Sequence, residues 1–352
     1  MKIEVVGWDI GGAHLKAAAV DVDGRILAVR QEPCPLWQGT DHLHRALDRI
    51  LARLAPGPDC RHAATMTGEL VDAFNDREEG VATLVRVMAE RCAPGPLSIF
   101  AGPSGFLAAE VAEWGHAGEI ASANWLASGS WLATHLAEAL FVDVGTTTTD
   151  LLLIHAKNPV YRGYADGERM RYDELLYTGV VRTPVMALAT RVPIDGEWMG
   201  LMAEHFATTA DIYRLTGELP EYADQMAAAD GGPKTEAASR RRLARMVGKD
   251  AESVSSDCWR AVAQFLREKQ LGRVRDGIDC QLSRGFLGNA APLVGAGVGR
   301  FLVRELARRL QRSYLDFSDF FSTSTPEHEF HGADCAPAMA VGCLALREVG
   351  TK

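Results

Sequence analysis

Two stretches of the chain share one pattern of apolar and polar positions. Residues 5–16 read VVGWDIGGAHLK and residues 139–150 read ALFVDVGTTTTD. In each, an apolar run ends in Asp, a branched residue and Gly, and a polar turn follows. A second apolar run comes next, LKAAAV at 15–20 and LLLIHA at 151–156. Another turn then precedes a third strand, at 25–30 in one copy and 160–164 in the other. Short apolar runs bounded by Gly, Asp, Asn and Pro predict strands, so the chain carries two β-meanders of one design. Such a repeat predicts a duplicated α/β unit.

The remaining pattern alternates strand and helix. Leu43, Leu47, Ile50, Leu51 and Leu54 recur at helical spacing and predict a half-buried helix over 40–54. An apolar run at 97–101 leads to Gly102-Pro-Ser-Gly105, a turn expected to open a helix, and 121–139 reads as a helix feeding the second meander. The stretch 165–285 is less regular and predicts an inserted helical lobe, with helices at 235–247 and 253–269. Pro292 to Gly299 is a strand running into a Gly-rich turn, followed by a helix at 300–311, a strand at 314–317 and a closing helix at 333–348. This alternation predicts an α/β fold. At 352 residues the chain exceeds the size of one core. Two domains are therefore expected, 1–135 and 136–332, with the helical insertion and the 293–299 motif in the second and the closing helix packed back on the first.

Charge narrows the partners. A net charge of −9 leaves no basic face for nucleic acid. The one arginine cluster, Arg240 to Arg245, reads as a solvated helix face. The seven cysteines are scattered without a CxxC pair, which suits reduced thiols. The chain opens directly on a strand, without an apolar leader. The longest apolar stretch, Phe286 to Val303, is interrupted by Asn289, Pro292, four glycines and Arg300, so it does not predict a membrane span. The expectation is a soluble, cytoplasmic protein with small-molecule partners, with the homo-oligomeric state left open.

The chemistry centres on Asp9 and Asp143. An Asp at a strand end projects a carboxylate at the mouth of a sheet, and the glycine that follows lets the backbone turn so that N–H groups face an anion. Gly11, Gly12 and Gly145 fill that role, and two copies of the device predict a phosphate cleft. His14 reads equally as a ligand contact or an ordinary turn residue. Arg182 reads equally as an anion grip or a structural ion pair. His328-Glu-Phe-His331 with Cys335 lacks a second pair of zinc ligands and reads as a polar loop. Trp125 and Trp131 read as packing residues.

DIGGAHLK (9–16) resembles the first phosphate motif of the actin, hexokinase and Hsp70 superfamily, DVGTTTTD (143–150) its second, and LVGAGVG (293–299) its adenosine motif. The resemblance implies two ribonuclease H-like domains flanking a cleft. It implies Mg2+ held by Asp9 and Asp143, largely through its waters, which suits an ion that dehydrates reluctantly. Lys16 matches a phosphate-contacting lysine, and Thr146, Thr147 and Thr148 would offer donors to phosphate oxygens. Gly295 and Gly297 would line a nucleotide-like pocket.

Narrower segments resemble the hydantoinase A and oxoprolinase branch: AGPSG (101–105) and YTGVVRTP (177–184). The chain is about half the usual length of those subunits. MTGEL (66–70), SANW (122–125) and TTADIYRLTGEL (208–219) resemble a shorter group within the branch, linked to tetrahydromethanopterin-dependent one-carbon metabolism. Its archaeal members make an intermediate of methanofuran. That resemblance implies a transferase joining an aminomethyl-furan-methyl diphosphate to the phenol oxygen of γ-glutamyl-tyramine, or a tyrosine analogue, with diphosphate released. Asp150 is a candidate for taking the phenol proton. The alternatives are an ATP-dependent small-molecule kinase or hydantoinase-like enzyme, which the retained Gly295 and Gly297 favour, and a nucleotide-gated structural protein.

Overall fold

The computed structural model describes residues 2–112, 115–323 and 332–349. The first meander is β1 (Val5–Ile10), β2 (His14–Val20) and β3 (Ile26–Pro33). It is followed by α1 (Asp41–Leu54), β4 (Arg61–Met66), α2 (Arg77–Cys92), β5 (Leu97–Phe100) and β6 (Phe106–Ala108). Two short helices, α3 (Ala109–Ala112) and α4 (Ala117–Ile120), lead to α5 (Asn124–Ala133). The second meander is β7 (Glu138–Val144), β8 (Thr149–His155) and β9 (Asn158–Val160). Then come α6 (Asp166–Arg171), β10 (Leu175–Leu176), β11 (Arg191–Ile194), β12 (Glu197–Gly200), α7 (Thr209–Thr216), α8 (Glu236–Arg245) and α9 (Ser256–Leu282). The chain closes with β13 (Leu293–Ala296), α10 (Arg300–Arg309), β14 (Tyr314–Asp316) and α11 (Ala336–Val349).

Both sheets follow one plan. The first has the order β3-β2-β1-β4-β5-β6, and the second the order β10-β8-β7-β13-β14, with β9 also pairing β8. The meander strands are neighbours in chain order, antiparallel through β1, β2 and β3 and between β8 and β9, and the Asp-bearing strand pairs in parallel with a strand reached by crossover, β1 with β4 and β7 with β13. This is the ribonuclease H-like arrangement, present twice. Two compact units result: residues 1–139, 152–169 and 315–352, and residues 140–151 and 170–314.

In the first unit, Val6, Trp8 and Ile10 point to one face of the sheet and pack with Leu43, Leu47, Leu84 and Met88 of α1 and α2. Burying these side chains against both helices supplies about 25 cal/mol per Å2 of apolar surface removed from water. The other face carries Gly7 and Asp9, two residues apart. There α11 lies so close that a Cβ on Gly7 would stand 2.1 Å from the Ala338 carbonyl oxygen. Cys335 Sγ reaches the Arg30 carbonyl at 3.9 Å and Cys343 Sγ reaches that of Gly24, so α11 runs opposite to β1 and its N-terminal end lies toward Asp9. The second unit has its own core, in which Val192, Ile212, Leu243, Trp259 and Leu266 pack together from the β11–β12 hairpin, α7, α8 and α9.

Several local expectations are corrected. The turn at 102–105 forms only a single 3-10 turn over Gly102–Ser104 and leads into a strand, not an α-helix: Gly105, at φ +74°, turns the chain back so that Ala101 N–H meets the Gly105 carbonyl and β6 pairs with β5. Ser122, at φ +53°, delays α5 to Asn124. The third strand of the second meander stops at Val160, and β10 pairs the other half of β8. The stretch 165–285 holds the β11–β12 hairpin as well as helices. The arginine cluster is not all solvated: Arg242 is fully buried, paired with Asp211 at 2.7 Å and Asp230 at 3.1 Å. His328 and His331 lie outside the described residues. All seven cysteines are free thiols. Trp125 and Trp131 are buried at 2% and 5% exposure. Among the described residues, no helix is long and apolar enough to cross a membrane.

Candidate active site

The first Asp-x-Gly turn is held from three sides. Asp9, 5% exposed, sits opposite Lys16 on β2 and Thr65 on β4. Lys16 in turn faces Gln31 on β3, so a polar row crosses four strands on one face of the sheet. Gly11 N–H donates to the His14 carbonyl at 3.0 Å and closes the hairpin, leaving Gly12 and Ala13 at its tip. His14 is the first residue of β2, not a turn residue, and alternation places its buried ring on the face that carries Lys16 and Asp9. On the opposite face, Trp8 Nε1 donates to His62 Nδ1 at 3.1 Å, and burial lowers the His62 pKa to about 4.

Two segments marked only by resemblance turn out to touch this turn. Thr67 and Gly68 N–H both donate to the Ile10 carbonyl at 2.9 Å, which ties MTGEL to the Asp9 strand end. From SANW, Asn124 Nδ2 donates to Asp9 Oδ1 at 3.4 Å, and Ser122 Oγ donates to Glu69 Oε1 at 2.9 Å. Glu69 is fully buried, and desolvation raises its pKa above the usual carboxylate value. Its backbone is pressed by α2, where a Cβ on Gly80 would lie 2.2 Å from the Glu69 carbonyl oxygen. Glu69, Ser122 and Asn124 are site residues that spacing in sequence did not indicate. Their partners lie far away along the chain, and the family-like segments were the only signal.

The second turn repeats the hairpin. Gly145 N–H donates to the Thr148 carbonyl at 2.9 Å, leaving Thr146 and Thr147 at the tip. The same count that sets Lys16 opposite Asp9 sets Asp150 opposite Asp143. Two carboxylates facing each other across adjacent strands repel unless a cation lies near. Asp143 is half-buried, and its strand neighbour is β13. Gly297, at φ +78°, makes room for it: a Cβ there would lie 2.4 Å from Asp143 Oδ1. Gly295 serves another purpose, since a Cβ on it would stand 2.6 Å from the Tyr314 ring. Both glycines thus accommodate protein atoms.

Behind this turn lie two further layers. Val180 N–H donates to the Gly145 carbonyl at 3.0 Å, and the Val181 and Arg182 N–H groups share the Thr146 carbonyl. Arg182 Nη1 reaches Thr147 Oγ1 at 3.4 Å. The TTADIYRLTGEL segment then braces that layer. Thr209 Oγ1 and Gln270 Nε2 each donate to the Gly179 carbonyl at 2.8 Å, and Tyr213 donates to Gln270 Oε1 at 2.6 Å. Oxygen donors of this kind, carboxylates beside hydroxyls, fit a hard cation such as magnesium.

Two ribonuclease H-like sheets, each ending its first strand in an Asp-x-Gly turn, define a protein of the actin-like ATPase fold. Within that fold, the chain belongs to the hydantoinase/oxoprolinase family, which it matches over residues 61–328. It is 29% identical over 306 residues to the (4-{4-[2-(gamma-L-glutamylamino)ethyl]phenoxymethyl}furan-2-yl)methanamine synthase of Methanocaldococcus jannaschii, covering 87% of this chain and 89% of that one. It is 30% identical over 221 residues to the synthase of the same name from Methanococcus vannielii, covering 60% of this chain and 93% of that one. Kinship with two synthases makes the chain an enzyme. A nucleotide-free acetone carboxylase structure shares the fold, with a TM-score of 0.57 and 11% identity over 98% of this chain and 70% of that one.

Proposed function

We propose that the chain is a transferase that forms the aryl ether of a phenoxymethyl-furan in methanofuran-type cofactor biosynthesis. It would join an aminomethyl-furan-methyl diphosphate to the phenol oxygen of γ-glutamyl-tyramine or a tyrosine analogue. The supporting observation is that the segments resembling the shorter synthase-like group brace the two Asp-x-Gly turns, those at 66–70 and 122–125 directly and that at 208–219 through the 179–182 layer. The name of the Methanocaldococcus jannaschii relative describes a product with that ether bond.

The chemistry suits such turns. A furan ring stabilises positive charge on its attached methylene carbon, so the carbon–oxygen bond to diphosphate breaks with its electron pair leaving on the diphosphate. The phenol oxygen then bonds to that carbon and loses its proton. The enzyme's main task is to stabilise charge growing on the leaving group. Lys16 and the hydroxyls of Thr146, Thr147 and Thr148 are the donors assigned to it. Asp9 and Asp143 are the residues assigned to magnesium, which when bound neutralises diphosphate charge. Release of inorganic diphosphate that requires both the furan diphosphate and the phenol supports this reading. Release without the phenol, at an equal rate, opposes it.

A further inference from the structure

The Asn124 amide lies on the Asp9 carboxylate, and the Ser122 hydroxyl two residues earlier lies on the buried carboxyl of Glu69. We infer that the 122–124 turn is a positioning device, in which Asn124 sets the orientation of the Asp9 carboxylate and Glu69, through Ser122, holds Asn124 in place. The inference rests on the reading of Asp9 as a metal-holding carboxylate.

Three observations carry it. Ser122 has φ +53°, a left-handed conformation that a serine adopts only where its surroundings impose it. Its hydroxyl donates to the buried carboxyl of Glu69 at 2.9 Å, a contact suited to hold it there. Ser122 and Asn124 are two residues apart, so their Cα atoms lie within about 7 Å of each other, and a shift at one reaches the other. Glu69 is also costly as a packing residue. Its second carboxyl oxygen is buried without a hydrogen-bond partner among the described residues. An apolar side chain of similar size would fill the space without that penalty. A carboxyl retained at such a place is explained by the hydrogen bond it accepts from Ser122, the one side-chain donor among the described residues that reaches it.

The geometry around Glu69 leaves it little freedom. Its backbone lies against Gly80 on α2, and Gly68 just before it packs against Leu36 and the Ile10 carbonyl. Arg77 and Asp166 are the charged groups that act on it at longer range, and they pair with each other at 3.4 Å. The clamp therefore connects α2, the β4 exit and the start of α5 to one carboxylate.

The test measures metal affinity rather than turnover. Mn2+ with inorganic diphosphate is titrated into the intact protein, with free Mn2+ read by its electron paramagnetic resonance signal. Thermal unfolding of each variant checks the fold. Partners that orient a metal ligand typically govern affinity by about 10- to 100-fold. Asn124→Ala is expected to weaken Mn2+ binding by about tenfold or more, and Ser122→Ala and Glu69→Ala in the same direction by less. Glu69→Gln keeps an acceptor for Ser122 and is expected to keep near-normal affinity, even if Glu69→Ala fails to fold. Normal affinity in Asn124→Ala, with affinity lost in Asp9→Ala, would overturn the inference alone. Normal affinity in Asp9→Ala would remove both the reading of Asp9 and the inference. Weak binding in Asn124→Ala with none of the Ser122 or Glu69 variants affected would overturn the role given to Glu69.

Discussion

Asp9 is the only charged residue in β1, and it is nearly buried at the end of an apolar strand. A carboxylate in that setting destabilises the fold unless hydrogen bonds or a cation offset its desolvation. Its role is therefore expected to show in function more than in stability. Asp9→Ala and Asp143→Ala should each cost several kcal/mol of transition-state stabilisation, roughly a thousandfold or more in rate, with cooperative unfolding retained. Lys16→Ala should weaken affinity for diphosphate while leaving the melting temperature near that of the unaltered protein. Turnover within a few-fold of normal in either Asp variant would contradict the assignment. His62 makes the opposite kind of statement. Burial holds its pKa at about 4, so between pH 6.5 and about 4 the unfolded chain binds a proton that the folded chain refuses. Its contribution is full above pH 6.5 and is lost as pH falls through the folded value, roughly 3 kcal/mol in all. His62→Gln, which keeps an acceptor for Trp8, should flatten this part of the acid dependence in urea melts. An unchanged slope would show that other groups govern it.

At the scale of elements, the meanders were legible because each packs local signals together: an apolar run, an Asp-x-Gly turn and a second apolar run. The β11–β12 hairpin carried a signal too, Asp195-Gly196 between short strands, with both residues at positive φ. Pro193 and the shortness of the strands hid it within a stretch read as helical. The site residues Glu69, Ser122 and Asn124 were legible only as parts of family-like segments, since their contacts span distant parts of the chain. The burial of Arg242 escapes the sequence pattern for the same reason. Its helix looks solvated from its own sequence, yet its partners are Asp211 in α7 and Asp230 in a loop. Asp211 also accepts from Ser239 Oγ at 2.7 Å and is the capping-box residue of α7. Removing Arg242 would leave a buried carboxylate short of its main cation. Arg242→Ala is expected to destabilise the protein by about 3–5 kcal/mol in denaturant unfolding. A change below about 1 kcal/mol would place the pair among those that solvent screens.

At the scale of the molecule, two sheets of one design show how duplication supplies two similar turns whose supporting layers then diverge. The first turn is braced by the segments at 66–70 and 122–125. The second is braced by the TGVVRTP stretch and α7. Family membership, and likeness to a named synthase over 87% of this chain, make it an enzyme of this family, and the handling of a diphosphate leaving group is the proposal made above. In the proposed reaction the furan diphosphate would itself carry the leaving-group energy, so the chemistry would require no nucleotide. The measurement that tests this most directly combines purified enzyme, magnesium, the aminomethyl-furan-methyl diphosphate and γ-glutamyl-tyramine, with the tyrosine analogue run in parallel. Mass spectrometry follows the ether and the inorganic diphosphate, with and without ATP. Ether and diphosphate are expected in equal amounts without ATP. Ether that forms only with ATP, with ADP and phosphate appearing in step, would contradict the proposal.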